Sequence, residues 1–361
     1  MDKVVKVLCE LININSYDKE ENYKICKYIN DLFGSIATEI KYISCGGNEY
    51  KNNIVIGLNT KLKDVYNAVV LSAHIDTVQP NGNEKASVVN GKVYGLGACD
   101  MKAFVANIID NIDYLKNYSS PIIIALTADE ETELKGINDV ISFFKQNNIN
   151  GRFMLLGEPT NMDMVVASKG CTEFNVKIKG TSAHSSNPKL GVNAIYVASQ
   201  LATFIEELND KYFNEGASLN VGTISGGKQV NMVAGECNIG FDLRLKNITQ
   251  KGIIVSKINN EIEYLKTKYN AEIDISEELF IPPCENKKED IIFKLANKLN
   301  KNIVEANYGT EAGYYQMLGI TSLIFGAGDI GVAHSKDENV DIENLNNYSK
   351  YMIDILDELK L

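Results

Sequence analysis

Residues 67–76 read NAVVLSAHID, a run of apolar and small residues that ends on a histidine and, two positions later, an aspartate. A short, continuous, β-rich run of this kind reads as a strand buried on both faces, with its last residues at the rim where the chain leaves the sheet. The pattern recurs outward in both directions. PIIIALTADEE at 121–131 and GRFMLLGE at 151–158 each end on acidic residues, and SLIFGAG at 322–328 leads through a short loop to His334. NNIVIGL at 52–58 is a further strand. Between and after these runs, MKAFVANIIDNIDYLKNY (101–118), INDVISFFKQN (137–147), EDIIFKLANKLN (289–300) and DIENLNNYSKYMIDILDELK (341–360) carry helical periodicity. The alternation predicts an α/β fold with a mostly parallel central sheet and flanking helices.

From about Gly170 to Ile281 the rhythm changes. TEFNVKIKG, ASLNVGTISGG, ECNIGFDLRL and AEIDISEELF read as strands, with long helices over 191–213 and 252–269. The order β-α-β-β-α-β is that of a ferredoxin-like sandwich. We therefore expect an inserted domain at 170–281, with 1–169 and 282–361 forming the larger domain and Pro282–Pro283 marking the return.

Composition narrows the function. The chain has 361 residues and a net charge of −11, which argues against a nucleic-acid partner, whose footprint is a basic face. No apolar run approaches the ~20 residues needed to span a bilayer. At the N-terminus Val4, Val7, Leu8 and Leu11 repeat with amphipathic spacing, unlike a secretory signal. The seven cysteines contain no C-x-x-C pair, so a reducing, cytoplasmic location is expected and a cysteine-based zinc site is not.

Open α/β sheets bind ligands beyond the carboxyl ends of their strands. That rim should hold His74, Asp76, the Asp129-Glu130-Glu131 run, Glu158 and His334, with Asp100 of GLGACDMK just before a helix. A single acid at a strand end is usually solvated. Here two of only three histidines in the chain join four acidic clusters on one rim. Imidazole and carboxylate without thiolate suit zinc and related metals in a hydrolytic site.

HIDTV (74–78), GLGACDMK (95–102), TADEETELKG (127–136), GEPT (157–160), KGTSAHSSNPKLGVNAI (179–195) and GVAH (331–334) together resemble the amidohydrolase family of acetylornithine deacetylase, succinyl-diaminopimelate desuccinylase, carboxypeptidase G and aminoacylase. The resemblance spans almost the whole chain and leans toward acetylornithine deacetylase in TADEET, LGEPTN, SAHSSNP and YGTEA. It implies two Zn²⁺ per subunit, replaceable by Co²⁺ or Mn²⁺. His74 and Glu158 would bind one ion, His334 and Glu131 the other, and Asp100 would bridge. Asp76 would orient the His74 imidazole, and the peptide after Asp100 would be cis. Glu130 would be the general base on the water between the metals, its side chain directed away from that of Glu131 because neighbours in extended backbone point apart.

The inserted domain is then implied to be a lid that pairs subunits into a homodimer, with His184 donating a hydrogen bond to the oxyanion across the interface. Arg244 and Asn231 match lid positions that contact the substrate carboxylate, and Arg244 is one of only two arginines among 36 basic residues. Glu311, in YGTEAG, suits the free ammonium of an ornithine side chain. The implied reaction is metal-dependent hydrolysis of a small N-acyl amino acid, N2-acetylornithine to ornithine and acetate, a step of arginine biosynthesis. The alternatives are succinyl-diaminopimelate desuccinylase, a dipeptidase or an aminoacylase. An inactive metal-stabilised binding protein would have no need of Glu130.

One competing motif is GAGDIG (326–331), which fits the G-x-G-x-x-G dinucleotide fingerprint and follows a strand. VAHSKDENV rather than an amphipathic helix follows it, so the required context is missing. Ser185, Ser186 and Cys99 lack the elbow that surrounds a serine-type nucleophile.

Overall fold

The structure is a computed structural model that describes residues 2–17 and 22–360. The chain divides into two compact units. The larger comprises 1–167, 286–305 and 311–361, and the smaller 168–285 and 306–310.

In the larger unit the strands Glu39–Cys45, Asn48–Leu58, Ile122–Thr127, Val65–His74, Ile149–Leu156, Thr321–Ile324 and Met164–Ser168 lie side by side in that order. Val65–His74 pairs in parallel with both Ile122–Thr127 and Ile149–Leu156, and Thr321–Ile324 runs parallel to Ile149–Leu156. The flanks are antiparallel. The sheet is thus mixed, not mostly parallel as the alternation predicts. Part of the difference is a hairpin: Gly46 and Gly47, with φ of +57° and +74°, turn Glu39–Cys45 directly into Asn48–Leu58, and a two-residue turn permits only antiparallel pairing. Glu39–Cys45 is mostly half-buried or exposed and carries no apolar run that would announce it.

The parallel centre sets up the rim. His74 stands opposite Thr127, and Ser72 and Ile324 both face Leu156, so four strands end almost level. Their chains enter the loops that carry the acids and His334 along one edge. The helix expected over 101–118 breaks at Asn111 into Lys102–Asp110 and Ile112–Leu115, and the Asn111 amide donates to the Ser349 carbonyl at 2.9 Å.

The smaller unit has its own antiparallel sheet, ordered Ser218–Gly226, Glu236–Leu245, Gly170–Lys179, Glu272–Ile281. The helices Ala194–Tyr212 and Ile248–Tyr269 fall between strands in the expected β-α-β-β-α-β order. Burial alternates along Glu236–Leu245, and Ile239, Phe241 and Leu243 join Leu201, Ile205 and Ile258 in one apolar core. Among the described residues no helix is long and apolar enough to cross a membrane, and all seven cysteines are free.

Candidate metal centre

His74 ends its strand fully buried. Its Nδ1 lies 3.1 Å from the backbone carbonyl oxygen of Asp76. A carbonyl only accepts, so Nδ1 carries the proton and Nε2 is turned to the rim. There Nε2 meets Asp100 Oδ1 at 2.9 Å. The other oxygen of Asp100 lies 3.2 Å from His334 Nε2, which is also 3.0 Å from Glu131 Oε1. One carboxylate thus faces both imidazoles, one oxygen to each. The Asp100–Met101 peptide is cis.

Three overlapping groups place ligand atoms within 4.8 Å of one another: His74, Asp100 and Glu158; His74, Glu130 and Glu131; Asp100, Glu131 and His334. The electrostatics match this crowding. Burial raises Glu158 well above the usual carboxylate range, with the Asp100 charge adding to it. Burial, together with the charges of Glu311, Glu131 and Asp100, pushes Glu130 up to about 8 against the opposing pull of His74. Burial also resists ionisation of Asp100, but hydrogen bonds from His334 and His74 hold it well below its ordinary value. His74 is itself raised: burial opposes its charge, and the Asp100 hydrogen bond and surrounding carboxylates override that. Carboxylates packed this densely repel one another, and divalent cations are the natural counter-charge. The donor set, imidazole nitrogen and carboxylate oxygen, fits zinc, cobalt or manganese. The neighbouring thiol of Cys99 instead turns to the Asp329 carbonyl.

Two sequence expectations are refined. The Asp76 carboxylate oxygen lies 3.8 Å from His74 Nδ1, so the imidazole is oriented by the Asp76 backbone carbonyl. The carboxylate accepts the backbone N–H groups of Glu130 and Glu131, each at 3.2 Å. Nor do those two glutamates lie in extended backbone that would send their side chains apart. They sit in a turn entered through Asp129 at φ +76°, and both reach the same cluster.

That turn is braced by a residue the sequence does not advertise. Lys51, buried in the Asn48–Leu58 strand, forms a 2.6 Å ion pair with Asp129, which also accepts from the Thr132 hydroxyl at 2.5 Å. GAGDIG has a packing role. A Cβ on Gly326 would fall 2.2 Å from the Glu158 carbonyl oxygen, and one on Gly328 would fall 2.3 Å from the Cys99 Cβ. Glycine there lets one loop lie flush against the segments that carry Glu158 and Asp100.

Glu311 also belongs to the larger unit. It is 1% exposed, and burial raises it to about 7 against the opposing pull of the Thr127 hydroxyl and the His74 charge. The remaining predicted residues lie in the smaller unit. His184 is exposed, with Nδ1 2.8 Å from the Ser186 hydroxyl. Its segment pairs with the one that carries Asn231, through the Ser185 N–H to the Asn231 carbonyl at 3.1 Å and a bridge between His184 and Met232. A polar-lined cavity of about 450 Å³ adjoins them, bounded by Ser182, Gly226, Lys228 and Met232. Arg244 is not part of that group. It stands half-buried on the Glu236–Leu245 strand, its Nε donating to Asp242 at 2.7 Å.

Residues 70–358 match peptidase family M20/M25/M40. The acetylornithine deacetylase of Buchnera aphidicola subsp. Schizaphis graminum is 30% identical, over 94% of this chain and 92% of that protein. The acetylornithine deacetylase of Aliivibrio salmonicida is 32% identical, over 88% and 85%. The crystal structure of aminopeptidase PepT from Bacillus cereus has the same fold, with a TM-score of 0.81 at 22% identity over 99% of this chain and 98% of its own. A metal-ligand cluster on one rim and a family match over most of the length agree: the chain belongs to peptidase family M20/M25/M40, and it is a metal-dependent amidohydrolase.

Proposed function

We propose that this protein hydrolyses the amide of an N-acyl amino acid, with N2-acetylornithine as substrate and ornithine and acetate as products, in arginine biosynthesis. The observation that carries the reading is the likeness to acetylornithine deacetylases along nearly the whole chain, 30% identical over 94% of it. His74 and Glu158 would hold one Zn²⁺, Glu131 and His334 a second, and Asp100 would face both, with Co²⁺ or Mn²⁺ able to substitute. When bound, such ions polarise a carbonyl and make water acidic enough to attack near neutral pH.

The chain's own residues do the rest. Glu130 is the base: it takes a proton from the attacking water and returns it to the leaving amine. Asp76 keeps Glu130 and Glu131 in place through their backbone N–H groups. In the smaller unit, read as a ferredoxin-like lid and dimerisation domain over 170–281, His184 donates to the oxyanion of the tetrahedral intermediate across a homodimer interface. Asn231 and Arg244 hold the substrate carboxylate. Arg244 spends its Nε on Asp242, which leaves its terminal nitrogens as the fork for a carboxylate. Glu311, a buried carboxylate beside the cluster, takes the distal ammonium of ornithine.

A panel of N-acetyl and N-succinyl amino acids, assayed for amine release by the metal-loaded protein, tests the assignment. Preference for acetylornithine is expected. Preference for succinyl-diaminopimelate or for a dipeptide would replace the substrate while keeping the chemistry.

A further inference from the structure

Glu338 lies four residues past His334, in SKDENV, a polar stretch that reads as an exposed loop. In the fold it is 1% exposed. Its carboxylate accepts three backbone N–H groups of a single loop: Gly97 on Oε2 at 2.9 Å, and Cys99 and Asp100 on Oε1 at 2.9 and 3.1 Å. The Glu338 carbonyl accepts a fourth, from Gly95, at 3.1 Å. The next residues, Asn339–Asp341, pair with Lys92–Tyr94, so an antiparallel ribbon anchors both segments just before they diverge, one toward Asp100 and the other toward His334.

We infer that Glu338 is a positioning residue of the metal centre, clamping the Asp100 loop to the segment that carries His334 and thereby setting the two ligands against each other. This rests on the reading of Asp100 and His334 as metal ligands. Three converging N–H donors form an anion nest, and a buried charge is tolerated there because each bond is charge-assisted. The role is one of distance as well as charge. Glutamine keeps the length but turns an NH₂ toward one of the N–H groups. Aspartate keeps the charge but falls short by one C–C bond, about 1.5 Å.

The test is Co²⁺ titration of metal-free wild type, Glu338→Gln and Glu338→Asp, followed by calorimetry and by the visible spectrum of the bound cobalt. Wild type should take up two ions per chain. Both variants should bind at least one of them roughly 10–100-fold more weakly, the size typical when a ligand's outer partner is lost. Turnover should fall at limiting Co²⁺ and recover in excess, with KM at saturating Co²⁺ unchanged. A Glu338→Asp chain that titrates like wild type would overturn the inference, since charge alone would then suffice. So would variants that only melt at lower temperature while binding Co²⁺ with wild-type affinity. A wild-type chain that takes up no Co²⁺ would instead overturn the metal reading beneath it.

Discussion

His74 and His184 sit in opposite surroundings. His74 is buried, and its Nε2 faces a carboxylate 26 residues away in sequence. His184 is exposed and bonds a serine two residues on. The contrast extends to their units. In the larger one, Asp76 holds the backbone of Glu130 and Glu131, Lys51 braces Asp129, and Glu338 clamps the Asp100 loop, all across long stretches of chain. In the smaller one, the side chains of His184 and Arg244 bond to near neighbours in sequence, Ser186 and Asp242, and only the backbone of the His184 segment reaches farther, to the segment of Asn231 and Met232. Buried groups with distant partners are preorganised by the fold. Exposed groups with local partners cost the fold little to change, so their substitution should register in catalysis and not in stability.

The largest expected effect separates two adjacent residues within the larger unit. Glu130→Gln should lower turnover by roughly 10²–10⁴-fold with metal content intact, because an amide cannot take the proton. Glu131→Gln should lose metal. Equal metal content in the two variants, measured by elemental analysis, would erase the division of roles.

The next effect crosses to the smaller unit. His184→Ala should cost about 10²–10³-fold in turnover, as removal of an oxyanion donor does, with metal content and melting temperature unchanged. Co-refolding it with Glu130→Ala tests whether it acts in trans. Random pairing leaves half the dimers mixed, each with one intact site of two, so activity should recover to roughly a quarter of wild type. No recovery, with subunit exchange verified, would place His184 in the same subunit as the base it serves.

A smaller change is expected at Glu311. Glu311→Gln should raise KM for acetylornithine by roughly 10–100-fold, the cost of losing a charged hydrogen bond, and should barely move KM for acetylnorvaline, which lacks the distal ammonium. Equal effects on both substrates would remove the ammonium role.

The smallest effect is on stability. In the metal-free protein, burial raises Glu130 to about 8 and Glu311 to about 7 from an ordinary 4.5. An unfolded chain ionises such groups first, so they cost stability progressively as pH rises from about 4.5 through 8. His334, raised to about 10 by its bonds to Asp100 and Glu131, stabilises fully below 6.5 and loses that contribution as pH climbs toward 10. Both signs agree, so the melting temperature of the chelated protein should fall between pH 5 and pH 9, and metal should flatten the slope. A chelated protein whose melting temperature holds or rises over that range would contradict this reading of the cluster.

Much of the fold and of the cluster is legible in the sequence. The apolar runs that end in His74, Glu131 and Glu158 announce strands and rim at once, because buried strands leave continuous apolar sequence and ligands must follow them. The period-two alternation of ECNIGFDLRL likewise announces the second sheet. What stays hidden depends on tertiary contact. Lys51 meets Asp129 across 78 residues, and Glu338 meets Asp100 across 238; no local period encodes either pairing. The turn at Glu130 hides for a similar reason, since it is set by the Asp76 carboxylate and by a left-handed Asp129. The GAGDIG glycines are visible as a motif, but only their neighbours in space reveal that they make room for the Glu158 and Asp100 segments.

Metal dependence underlies every role assigned to the rim. The purified protein should be stripped with a chelator, confirmed metal-free by elemental analysis, and then titrated with Zn²⁺ or Co²⁺ while amine release from acetylornithine is followed. Negligible hydrolysis by the stripped protein is expected, with recovery that saturates at two ions per chain. Undiminished hydrolysis by protein verified to hold no metal would contradict the metal centre outright.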